Sequence, residues 1–187
     1  MPKQASRIPN PLALNMYLLG YNSRKKLVSV NQAVKENLRT YLGQYRMITD
    51  AINLKDAFVI NIGVKFNILT KPTANKNEVL TRAIEEVKTF FDIDRWQINQ
   101  PIVMSDLVYK LSLVDGVSGV VPPKEDNLAS NPIIITNKYK TADGYSGNLY
   151  DIDSATKNGV IYPSLDPSIF ELKFPASDIE GTVVGDY

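Results

Sequence analysis

The chain has 187 residues, 44% hydrophobic and 22% charged, with 21 basic against 20 acidic residues and a formal net charge of +1. That composition belongs to a globular protein long enough to bury a real core, and its balanced charge lacks the broad positive field that nucleic acid or an anionic membrane requires. The absence of cysteine and histidine removes disulfide frameworks, thiolate chemistry, the commonest zinc ligand and every Ser-His or Cys-His nucleophile.

Prolines at 2, 9 and 11 predict an extended lead-in over residues 1–11. Leu12 to Asn22 is apolar and tyrosine-bearing, and it is expected to form a strand. It is too short for a membrane span and carries no small-residue cleavage site, so neither a span nor a signal peptide is expected. Ser29 precedes Gln32 at capping-box spacing, and Val34, Leu38, Tyr41, Leu42 and Tyr45 follow as the apolar stripe of a helix, with Gly43 near its end. From Ala57 to Leu69 the sequence alternates: Phe58, Ile60, Ile62, Val64, Phe66 and Ile68 share one face, while Asn61, Gly63, Lys65 and Asn67 share the other. This predicts a strand buried on one side and partly wet on the other.

Asn75 and Glu78 repeat the capping-box spacing before a second helix, with Val79, Leu80, Ala83, Ile84, Val87, Phe90 and Phe91 on one side and an Arg82–Glu86 pair on its polar side. Pro101 interrupts helix formation, Ser105 is placed to cap a short third helix, and Gly116 is placed to end it. Short strands are expected around Val117–Val121 and in the Pro-Ile-Ile-Ile-Thr-Asn-Lys-Tyr run ending at Tyr139, on either side of a polar loop from Pro122 to Asn131. The fold class expected is α+β: a mixed sheet with two to three helices packed on one face, followed by an extended, turn-rich C-terminal arm. Residues 12–139 form the expected core domain, and 140–187 the arm or a small β subdomain.

Chemistry is weakly signalled. Asp151 and Asp153 do not begin a calcium loop, because its fifth, sixth and twelfth positions are Ala155, Thr156 and Tyr162. As a catalytic carboxylate pair they lack any sequence sign of a pocket, whereas the Asp, Ser, Thr and Asn of residues 151–158 suit turn capping, with Asn158-Gly159 as a turn dipeptide. No phosphate-binding glycine motif occurs. Trp96 reads as a buried anchor beside Ile93 and Ile98, with Arg95 in reach of its ring, and the Ser23–Lys26 cluster reads as solvated. No catalytic residue, cofactor or metal is expected, nor a nucleic-acid or membrane partner.

The tail is the most individual part. Ile161, Tyr162, Leu165, Ile169, Phe170, Leu172 and Phe174 put seven large apolar residues into fourteen positions that also hold Pro163 and Pro167. Such a segment must be buried against something, either its own domain or a second subunit. With Tyr150 and Ile152, these seven are the candidate interface residues.

Three stretches, Leu38–Ile68, Phe90–Val117 and Tyr150–Gly181, occur in order and together resemble the C-terminal part of the baseplate wedge protein of T-even-type contractile-tailed phages, within the broader baseplate J-like group. The middle stretch is shared by the wider group, and the tail is the specific part. The resemblance implies a structural protein of the virion tail baseplate, made in the host cytoplasm and not an enzyme. It implies pairing with a second copy of itself and docking on other wedge subunits, near the sheath initiator. Members of that family are much longer, so ring closure does not carry over. The alternative from a different class is a free-standing α+β binding module for a peptide or small ligand. An acid-base hydrolase using Asp151 or Asp153 is a third.

Overall fold

The computed structural model describes residues 13–45, 51–122 and 131–184. The expected lead-in over 1–11 and most of the Pro122–Asn131 loop lie outside the described residues. The chain forms two compact units, Met1–Ala57 and Phe58–Tyr187. The division therefore falls inside the stretch expected to be one domain, and residues 140–187 belong to the same unit as the long alternating strand.

In the first unit, β1 (Ala13–Leu18) is followed by a small hairpin of β2 (Gly20–Tyr21) and β3 (Leu27–Val28), then by α1 (Gln32–Gly43) and β4 (Ala51–Asp56). The apolar run from Leu12 thus gives two short strands instead of one. Its hairpin turn is built by Asn22, whose Oδ1 accepts from the backbone N–H groups of Arg24 and Lys26 at 2.9 and 3.0 Å, with Lys25 at φ 55°. The basic cluster is therefore a turn. β1 and β4 pair in parallel, Ala13 opposite Ala51 through Leu18 opposite Asp56. Asn31, not Ser29, caps α1 by accepting from Ala33 N–H at 2.9 Å, and Lys35 ties the helix to β4 through Asp56 at 2.7 Å. Only Leu27 and Ala57 are buried among the described residues of this unit.

The second unit is organised by β5 (Phe58–Thr70). It continues through α2 (Lys76–Phe90), β6 (Ile102–Val103), α3 (Met104–Ser112), β7 (Val117–Val121), β8 (Ile133–Asn137) and a 3-10 turn at Thr141–Asp143. It then adds α4 (Ile152–Ala155), β9 (Thr156–Lys157), β10 (Val160–Ile161), β11 (Ser168–Glu171), α5 (Pro175–Asp178) and β12 (Ile179–Val183). The α+β class with mixed sheets is as the sequence predicts.

Thirteen residues let β5 carry four neighbours. β8 and β7 pair antiparallel with it at Ile62–Phe66 and Asn67–Thr70, while β11 and β12 pair in parallel at Phe58–Asn61 and Val64–Ile68. The overlap of β12 with both β8 and β7 puts it on the opposite edge. Backbone alternation places β11 on β12's edge: the even-numbered Phe58 N–H and Ile68 C=O bond to Pro167 and Val184, whereas the odd-numbered Asn61 C=O and Lys71 N–H bond to Lys138 and Gly116. Each edge of β5 is thus filled by two strands laid end to end. A separate three-stranded sheet has β10 between β6 and β9.

The apolar face of β5 is buried as expected from Ile60 onward, with Ile60, Ile62, Val64, Phe66 and Ile68 all closed to solvent, whereas Phe58 at the start of the strand is exposed. α2 lies over it: a Cβ on Gly181, opposite Phe66, would stand 2.8 Å from both the Phe66 ring and Leu80 Cδ1. The polar face is more closed than expected: Asn61, Gly63 and Asn67 are buried and only Lys65 is half-open, with Lys138 and the backbone of Asp178 lying over Gly63. Polar side chains can be buried where partners satisfy them.

Local signals fared unevenly. Asn75 caps α2 as expected, accepting from Asn77 and Glu78 N–H. Glu78 itself turns outward to Arg82 at 2.9 Å, and Arg82 also reaches Asp115 at 3.4 Å, in place of the expected Glu86. α3 starts at Met104 without a side-chain cap, so Ser105 lies inside it. Trp96 is buried against Phe90 and Phe91, not under Arg95, with ring centroids 5.8 and 5.4 Å away.

Candidate interaction surface

The segment from Tyr145 to Val183 is threaded through the second unit by polar contacts as well as strands. Beyond the end of β8, the unpaired carbonyl of Val59 is taken up by Ser146 Oγ at 2.9 Å and Asn148 Nδ2 at 2.7 Å. Asn61 Oδ1 accepts from Ser146 N–H at 2.8 Å, and Asn137 Oδ1 from Tyr150 N–H at 2.9 Å. These side chains continue the ladder of β5 where no strand reaches. Asp178, buried in α5, accepts from the Tyr145 hydroxyl and from Phe174 N–H. Burial, then the hydrogen bond to Asp178, push the Tyr145 phenol up to about 12. Burial also raises Tyr150, with the Asp151 charge adding to it.

Asp151 caps α4. It accepts from Ser154 N–H at 3.1 Å and from Ser154 Oγ at 2.6 Å, and these bonds hold its carboxyl below the usual range. This is turn capping, the reading the sequence favours for residues 151–158. Asn158 and Gly159 take positive φ values of 52° and 76° between β9 and β10, as a two-residue hairpin turn demands. Among the described residues, no group of three or more acidic side chains is placed to hold a metal ion, and no helix is long and apolar enough to cross a membrane.

The nine candidate interface residues separate into two sets. Ile152, Ile161, Ile169, Phe170 and Leu172 are buried within this one chain. Tyr150 is half-buried, its ring edge-on to Phe170 at 6.0 Å. Tyr162 and Phe174 are partly exposed, and Leu165 is fully exposed. Of the two covers the sequence left open, self-packing therefore accounts for five residues, and Tyr162, Leu165 and Phe174 each remain exposed. The segment is too uniformly apolar for hydrophobicity to separate the sets: in β11 all of Ser168, Ile169, Phe170 and Glu171 are buried, with no alternation.

An apolar stripe lies on α1 in the first unit. The helix buries none of its residues, and Val34 and Tyr41 on it and Tyr45 just past its end are each more than half exposed. Tyr41 and Tyr45 pack on each other at 5.2 Å. The stripe was legible in the sequence; its exposure was not.

Against known proteins, no family model matches this chain, and no curated protein matches it. The likeness to baseplate wedge proteins therefore stands on the three sequence stretches alone.

Proposed function

We propose that this chain is a structural subunit of a contractile phage tail, a baseplate wedge component that associates with a second copy of itself and docks on other wedge proteins in the virion, near the sheath initiator. One observation carries the reading beyond the sequence resemblance. α1 is an amphipathic helix that buries none of its residues: Leu38 and Leu42 are half-buried, while Val34, Tyr41 and, just past its end, Tyr45 stay more than half exposed, and apolar side chains grouped this way favour cover by another molecule. Tyr162, Leu165 and Phe174, on the other unit, are further exposed apolar side chains.

The test is twofold. Mass spectrometry of purified tail particles should find this chain among their constituents. Light scattering after size exclusion should give a mass that rises above the monomer with concentration, and Tyr41→Ser should lower it. A chain absent from tail particles and monomeric at every concentration overturns the proposal.

A further inference from the structure

A single exposed leucine on a soluble protein is ordinary. Leu165 is unusual in how firmly the backbone beneath it is fastened. Tyr162 N–H donates to Ala155 C=O at 3.1 Å, and the Tyr150 hydroxyl donates to Tyr162 C=O at 2.6 Å. Ser164 N–H donates to Ser168 Oγ at 3.0 Å, and Pro167 C=O accepts from Phe58 N–H at 2.9 Å. Ser168 is itself buried and bracketed by Asn99, which donates its N–H to Ser168 C=O at 2.7 Å and accepts from Ser168 N–H through Oδ1 at 3.0 Å. Pro163 and Pro167 fix two more backbone angles. These bonds fasten the chain on both sides of Leu165, which itself has a relative exposure of 106%.

A loop held this way has already lost the conformational freedom that binding would otherwise cost. Its surroundings carry a sign. Asp166 adjoins Leu165, and Asp151 and Asp153 lie on the helix that receives Tyr162; all three are exposed, against the single exposed Lys157 of the neighbouring hairpin. The bonds from Ser154 hold the Asp151 carboxyl below its usual range.

We propose that residues 162–167 are a preorganised docking knob, inserting Leu165 into an apolar socket with a basic rim on a different protein of the same assembly. This rests on the assembly reading above, and it names the chemistry of the partner. Acidic knobs repel one another, so the knob is not suited to meet its own copy.

The test uses the full chain in assembling tail particles, with the photocrosslinking amino acid benzoylphenylalanine placed at Leu165 and, as a control, at Glu180 on β12. The expected result is a crosslink from position 165 to one other protein, mapped to apolar residues flanked by Lys or Arg and reduced about tenfold by Asp166→Lys. Leu165→Ser should leave the unfolding midpoint of the isolated chain unchanged. A crosslink to another copy, no crosslink, a socket without basic residues, or indifference to Asp166→Lys overturns the knob. If particles still incorporate the chain in any of those cases, the assembly reading stands without it. If the chain is absent from particles, the assembly reading falls and the knob with it.

Discussion

Asn61 Nδ2 donates a 2.7 Å hydrogen bond to Glu171 Oε2, joining the middle strand of the large sheet to a strand 110 residues later, with both side chains closed to solvent. Asn61 is used on every side: its Oδ1 accepts from Ser146, and its carbonyl accepts from Lys138 N–H and Asn137 Nδ2. Asn61→Leu keeps the volume but takes an amide away from a buried carboxylate and an acceptor away from Ser146. It should destabilise the chain by about 3 kcal/mol, more than a neutral hydrogen bond is worth, because one of the deprived groups is an acid. Urea unfolding measures this, and a loss under about 0.5 kcal/mol would show that water replaces the amide at no cost.

Tyr145 gives the fold an alkaline limit. Its phenol is raised from 10.0 to about 12 in the folded chain, by burial first and by Asp178 second. The neutral form is favoured on folding, so its contribution is complete below pH 10, declines as the unfolded chain ionises, and is lost as pH rises through about 12. Unfolding free energy should therefore fall across that window, and Tyr145→Phe should flatten the fall while costing about 1 kcal/mol at neutral pH through the lost bond to Asp178. Phenolate absorbance should show one fewer late-titrating tyrosine in the variant. An identical pH slope in both proteins would remove Tyr145 as its source.

Two glycines near β7 should behave oppositely. Gly116 has φ 92°, and a Cβ there would stand 2.5 Å from Val79 Cγ2 on α2; Gly119 has open space around it. Gly116→Ala combines left-handed backbone strain with overpacking and should cost about 3 kcal/mol. Gly119→Ala should stay within about 0.5 kcal/mol of the parent. Thermal unfolding of the two variants side by side separates a backbone requirement from a general intolerance of side chains in this strand.

The sequence carried the local half of this fold. The alternation from Phe58 to Ile68 marked β5, and Asn75 marked the start of α2, because period and capping are written within a few residues. Three things were not legible for the same reason inverted. The parallel pairing of Ser168–Glu171 with Phe58–Asn61 leaves no mark near either strand. Asn61 reads as solvated because polarity is a poor guide to exposure once partners arrive from 85 and 110 residues away. Ser29 and Asn31 both suit a helix start, and only the backbone decides between them. At the candidate surface, Leu165 and Phe170 carry the same sequence signal, yet one is fully exposed and the other buried.

That last contrast makes the role of the C-terminal segment measurable. If β11 and β12 are integral to the sheet, then ending the chain after Tyr145 strips one whole edge of β5, exposing Ile60, Ile62 and Phe66 beside unpaired amides. The shortened chain should lose cooperative unfolding and bind a hydrophobic dye, instead of persisting as a folded monomer. In the full chain Phe170→Ala should cost about 4 kcal/mol, since a fully buried aromatic leaves a cavity. Leu165→Ala should change stability by less than about 0.5 kcal/mol, since nothing packs on it. Equal effects at the two positions, or a shortened chain with a sharp unfolding transition, would mean that residues 146–187 decorate a sheet already complete without them. The predicted asymmetry would instead assign Phe170 to the protomer's own interior and leave Leu165 free to meet another protein.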